Sequence, residues 1–130
     1  MLNRRDFVRG TATTVGAMTV LSSEVAKAEA GPTMSLNVIY PNHEGARFDM
    51  AYYRSSHIPL ATKVMKASSV TLIEGVPMEG AASPFVMIVH FEFPSAEALK
   101  AAVSDPGMAE VRADVAKFTD IKPTVMVGRS

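Results

Sequence analysis

The chain has 130 residues, with thirteen basic and thirteen acidic side chains and no cysteine. That length supports one domain. The missing cysteine excludes disulfides, thiolate catalysis, iron-sulfur clusters and most structural zinc sites, and the absence of a basic patch or an aromatic-basic motif argues against nucleic acid as a partner.

Residues 1–30 are expected to be a leader rather than part of the domain. Asn3-Arg4-Arg5-Asp6-Phe7-Val8-Arg9 resembles a twin-arginine export signal, with Asn where Ser or Thr is usual and Arg at the usual Lys position. A mildly apolar run from Thr11 to Leu21 follows, then Ala26-Lys27-Ala28-Glu29-Ala30, which offers small-x-small cleavage sites after Ala28 or, as preferred here, Ala30. The alternative is an amphipathic N-terminal helix. The run is too short and too rich in Thr and Gly to span a bilayer, which takes about 20 apolar residues, so no stable membrane anchor is expected. The expected product is a periplasmic domain of residues 31–130. Without the leader, nine basic residues stand against ten acidic ones, and the domain is nearly neutral.

Ser35 to Tyr40 alternates between prolines 32 and 41 and predicts a first strand. Pro41-Asn42-His43-Glu44-Gly45 is a polar turn in which His43 is expected to be solvated. Asp49 is a suitable N-cap for a helix whose apolar stripe takes Met50, Tyr53, His57, Leu60 or Ala61, and Val64. Tyr52 lies about 100° around from Tyr53 and is expected to cover the helix flank. Pro59 has no amide for the Ser55 carbonyl and should push Ile58 off helical angles, placing His57 at a kink. Ser69 to Val76 predicts a second strand, and the breakers between Gly75 and Pro84 a loop.

Phe85 to Phe93 is the clearest strand, with Phe85, Met87, Val89, Phe91 and Phe93 on one face and Val86, Ile88, His90 and Glu92 on the other. Ser95 caps a helix over Ala96 to Val103. Asp105-Pro106 starts a second helix, with Met108, Val111, Val115 and Phe118 on one stripe and Glu110, Arg112, Asp114 and Lys117 elsewhere. Pro123 to Val127 predicts the last strand. The order gives an α+β, ferredoxin-like βαββαβ domain: a four-stranded antiparallel sheet with its helices on one face. The other face, a flat footprint of about 300 Å², approaches the largest apolar patch that monomers carry. A homodimer closing two sheets into a barrel is therefore expected.

The face bearing Phe85 to Phe93 is bulkier and drier, so it should meet the helices and leave a small-molecule cavity lined by Met87, Phe91, Phe93 and Leu60, with Tyr53 and His57 as polar tips. His57 suits a general acid or base, since imidazole titrates near pH 6.5, and Tyr53 one turn earlier could donate to a carbonyl. The alternative is that His57 caps the carbonyl freed by Pro59 and Tyr53 is a core aromatic. His90 and Glu92 are too few for a metal site, and no metal is assigned. Ser55 and Ser56 make no nucleophile, because no acid is placed to orient His57.

Phe48-Asp49, then Tyr52-Tyr53, then His57-x-Pro59-Leu60 resembles the EthD-like family (ethyl tert-butyl ether degradation), within the dimeric α+β barrel superfamily. The resemblance implies ligand binding between sheet and helices, a homodimer, and oxidoreductase or isomerase chemistry on small organic compounds. No flavin or nucleotide motif is present, so no cofactor is assigned. The expected function is a cofactor-free enzyme acting on a small apolar carbonyl, lactone or phenolic compound, with His57 moving a proton and Tyr53 holding the enolate-like oxygen. One alternative is a non-catalytic ligand-binding dimer supporting a partner oxygenase. The other is a haem-binding barrel with His57 as axial ligand.

Overall fold

A computed structural model describes residues 31–130; the expected leader, residues 1–30, lies outside the described residues. Alternating apolar positions form four strands, β1 (Met34–Pro41), β2 (Ser69–Glu74), β3 (Phe85–Phe93) and β4 (Thr124–Arg129). They pair antiparallel in the order β2-β3-β1-β4, the ferredoxin-like arrangement expected from the element order. In register, Leu36, Val38 and Tyr40 of β1 stand opposite Phe91, Val89 and Met87 of β3, so these side chains share one face. That face meets the helices and holds the core. Phe85 is the exception at 41% exposed, because the β1 pairing slips between Tyr40 and Pro41 at that end of the strand.

The first helical segment has three parts. A single turn, α1 (Met50–Tyr52), begins at Asp49, whose carboxylate accepts from the Tyr52 amide at 3.1 Å. A wide π turn follows over Tyr53–His57, and then α2 (Ile58–Met65). The expected kink at Pro59 is corrected: Ile58 keeps helical angles (φ −63°, ψ −43°) and donates its amide to the Tyr53 carbonyl, five residues back. Pro59 sits in the first turn of α2, where a missing amide costs little.

After β3, Ser95 caps α3 (Ala96–Val103) by accepting from the Ala98 amide at 3.1 Å. The next helix, α4 (Met108–Asp114), starts later than Asp105-Pro106 suggests, because the Asp105 carboxylate instead closes a turn onto the Gly107 amide at 2.7 Å. A β-carbon at Gly107 would lie 3.0 Å from Val64, so glycine lets α4 begin against α2. A 3₁₀ turn, Val115–Lys117, ends this layer. Ala61 and Met65 of α2, Leu99 and Ala102 of α3, and Met108 and Val111 of α4 pack on Leu36, Val89, Phe91 and Phe93.

The opposite sheet face carries no helix among the described residues. One row across it is Ile73, Ile88, Ile39 and Thr124, and the next is Thr71, His90, Asn37 and Met126. Asn37 Oδ1 accepts from His90 Nδ1 at 2.7 Å, and Asn37 Nδ2 donates to Ser35 Oγ at 3.0 Å and to the Met126 carbonyl at 3.2 Å. The face is thus apolar at one end and hydrogen-bonded at the other. Among the described residues no helix is long and apolar enough to cross a membrane.

Candidate active site

A short strap brings distant parts of the chain together at the end of α4. Phe48 bridges Thr119, the Asp49 amide donates to the Phe118 carbonyl at 2.7 Å, and Thr119 Oγ1 donates to the Arg47 carbonyl at 2.6 Å. The Asp120 carboxylate accepts from the Arg47 amide at 2.9 Å, and that bond holds its pKa below the usual range. These contacts set the start of the first helix beside α4. Phe118, fully buried, then packs against Tyr40, Phe48, Tyr52, Tyr53 and His57, with its ring centroid 4.5 Å from that of His57.

On this platform His57 Nδ1 lies 2.9 Å from Asp114 Oδ2, with both side chains buried. Tyr52 donates its hydroxyl to the other carboxylate oxygen at 2.8 Å, and the Lys117 ammonium lies 3.6 Å from that same oxygen. The expectation that no acid orients His57 is therefore corrected. Asp114 does so from 57 positions away, and Tyr52, assigned to the helix flank, steadies Asp114. Burial lowers the His57 pKa from its ordinary value, more than the hydrogen bond and charge of Asp114 raise it. Burial acts to raise the Asp114 pKa, but the hydrogen bonds from His57 and Tyr52 and the nearby charges bring it below the ordinary carboxylate range. At neutral pH this is a neutral imidazole donating Nδ1–H to a carboxylate. Among the described residues Nε2 has no partner.

The His57 ring lines a cavity of about 180 Å³ between the sheet, α2 and α4. Its walls are Leu36, Val38, Val89, Phe91, Ala61, Met65 and other apolar side chains; the polar ones are Tyr40, His57 and Arg112. Of the residues expected to line it, Phe91 does so. Met87 packs in the aromatic cluster around Phe118, Phe93 lies farther along β3 in the core with Leu99 and Ala102, and Leu60 packs half-buried against that core, off the cavity wall. Tyr53 stacks on His57 at 5.7 Å between centroids but is fully buried, off the cavity wall, and its hydroxyl has no hydrogen-bond partner among the described residues. Burial, with a smaller effect of Tyr40, pushes its pKa far upward and keeps it protonated. Tyr40, at the far end of β1, is the phenol that reaches the wall, and burial keeps it protonated as well.

No group of three or more His, Asp and Glu side chains among the described residues is arranged to hold a metal. The cavity does not fit a haem, being smaller than the roughly 300–1,000 Å³ of ordinary small-molecule pockets. His90 bonds Asn37 on the other sheet face, with Glu92 3.9 Å away, and His43 is exposed beside Asp120.

The EthD domain matches this chain over residues 44–122. An EthD-like protein of Ralstonia eutropha JMP134 is 34% identical, with 75% of this chain and 91% of that one covered and a TM-score of 0.69. An ethyl tert-butyl ether degradation (EthD) family protein of Bacillus halodurans C-125 is 20% identical over 75% of this chain and 98% of that one, with a TM-score of 0.61. A dimeric ferredoxin-like protein of Thermobifida fusca YX has the same fold at 10% identity, over 77% and 92% of the two chains, with a TM-score of 0.52. No curated protein matches the chain.

Proposed function

The chain belongs to the EthD family, and from that premise we propose that it is a cofactor-independent enzyme of the oxidoreductase or isomerase type, moving a proton on a small, largely apolar carbonyl, lactone or phenolic compound. The observation that carries this reading is the His57–Asp114 pair at 2.9 Å, with the imidazole on the wall of an apolar cavity. Asp114 holds the proton on Nδ1, leaving the Nε2 lone pair as the base. Nε2 takes a proton from a carbon or oxygen acid of the substrate, and the electron pair left behind moves onto the carbonyl or phenolic oxygen. The imidazolium that forms is stabilised by the Asp114 carboxylate. Tyr40, protonated and on the wall, takes the role expected of Tyr53 and donates to that oxygen. Return of the proton to another substrate atom completes an isomerisation within the molecule. Oxidation of the same enolate requires an external oxidant, such as dioxygen.

The test is solvent deuterium exchange into a panel of small ketones, lactones and phenols, followed by NMR. The wild type exchanges at least one of them, and His57→Ala slows that exchange by at least about 10²-fold. An unchanged rate in His57→Ala removes the reading. It also includes a homodimer, supported by the helix-free sheet face, and export of the folded domain to the periplasm, supported by Arg4-Arg5 and the alanine-rich cleavage region. Fractionation of cells carrying the full chain checks export. Replacing both arginines by lysine should hold the protein in the cytoplasm as the uncleaved precursor.

A further inference from the structure

Among the described residues the cavity has one cationic side chain on its wall, Arg112, and no salt bridge engages it. Arg112 lies on α4, two residues before Asp114, so the two point to different sides of the helix. It is exposed, and among the described residues it makes no salt bridge, whereas Arg54 pairs with Glu74 and Lys117 with Asp114. Among the described residues no acidic side chain lines the cavity. Of the two acids on α4, each two residues from Arg112, Asp114 is already held by His57 and Tyr52, and Glu110 is exposed and absent from the cavity wall. On the β4 side the wall is Val125, 57% exposed, so the cavity opens between α4 and β4, at the edge where Arg112 stands.

We infer that the compound taken by this site is a small monocarboxylate, its apolar body in the cavity and its carboxylate against the Arg112 guanidinium at the mouth. The inference deepens the proton-transfer reading and rests on its cavity. Guanidinium presents a planar fork of donors that matches a carboxylate. A cavity of about 180 Å³ admits a body the size of one ring, and apolar walls with a few polar groups fix which end faces His57. The carboxylate stays at the wet rim, where it keeps part of its hydration, and away from the buried Asp114 that would repel it.

The test uses phenylacetate and its neutral isostere phenylacetamide, titrated by calorimetry at pH 8 into the full-length protein, Arg112→Gln, Arg112→Lys and His57→Ala. Phenylacetate should bind the wild type about tenfold more tightly than phenylacetamide, in keeping with a hydrogen bond to a charged group. Arg112→Gln should erase that preference without weakening phenylacetamide, Arg112→Lys should keep part of it, and His57→Ala should leave it intact. Raising the salt should shrink the preference in the wild type and not in Arg112→Gln. Equal binding of the two probes, binding of neither, or a preference that survives Arg112→Gln overturns the inference. A preference that follows Arg112 while His57→Ala leaves proton exchange unchanged would sink the catalytic reading and leave this one standing.

Discussion

Asp114 decides how His57 behaves, and its position was readable in principle. It stands three residues after Val111 and four before Phe118, in phase with the apolar stripe rather than opposite it, so its burial at 7% exposure follows from helical geometry. Treating every charged residue of that helix as outward hides this. Its pairing with His57 could not be read locally, because the strap between residues 47–49 and 118–120 is a tertiary contact. Asp114→Asn should lower kcat by about 10²–10⁴-fold, since the amide can donate to Nδ1 and so select the wrong tautomer. It also removes the two influences that raise the His57 pKa, so the acid limb of kcat/KM, already centred below pH 6.5 in the wild type, should move lower still. A structural role alone would not move that limb. For stability the signs agree. His57 with its lowered pKa resists protonation in the folded chain, so stability falls as pH drops below about 6.5. Asp114, also lowered, loses its contribution as pH falls through the ordinary carboxylate range. Urea melts at pH 7 and pH 5 should show the midpoint falling at the lower pH. Tyr53→Phe separates the two phenols: deleting an unpartnered buried hydroxyl should leave exchange activity intact and stabilise the fold by up to about 1 kcal/mol, whereas Tyr40→Phe should slow exchange.

At the level of elements, β3 and α3 have the expected ends and the other strands differ by two residues or fewer, because strict alternation and a serine cap are local signals. The π turn was not legible. Its cause lies in packing: Tyr53, His57, Ala61 and Met65 are all buried at four-residue steps, and on a regular helix each such step drifts about 40° from the face. One wide turn takes up part of that drift and keeps His57 under the sheet while the exposed Arg54, Ser55 and Ser56 bulge toward solvent. The geometry of the motif thus comes from the wide turn over Tyr53–His57 and not from Pro59. Deleting Ser55 should tighten the bulge into an α-helical turn without removing any core side chain. Helix content by circular dichroism should stay near the wild-type value, while His57 rotates relative to Asp114 and exchange drops by at least about tenfold, as expected when a base loses its orienting partner. Unchanged exchange in a folded deletion variant would show that the wide turn does not aim the histidine.

For the whole molecule, the proposed homodimer turns on the sheet face that carries no helix among the described residues. His90, expected on this face with Glu92, joins Ser35 and Asn37 in a hydrogen-bonded group across β1 and β3. The isoleucine row Ile73, Ile88 and Ile39 remains, with Ile73 53% exposed at the β2 edge. Two such faces related by a two-fold axis bury the row against a copy of itself or of its neighbour, and the polar group supplies a register that a purely apolar face would lack. The central hydrogen bonds are already made within one chain, so covering them leaves few polar groups unpaired. On this reading the wild type should run at twice the chain mass in light scattering at micromolar concentration. Ile73→Lys places a charge at the β2 end of the isoleucine row but changes only an exposed position of the isolated chain, so it should shift the protein to a monomer while the thermal transition stays cooperative. Because association is linked to folding by mass action, the wild-type Tm should rise with protein concentration and that of Ile73→Lys should not. A wild-type Tm independent of concentration, with a monomer mass, would remove the dimer and leave the cavity and its His57–Asp114 pair as properties of the single domain.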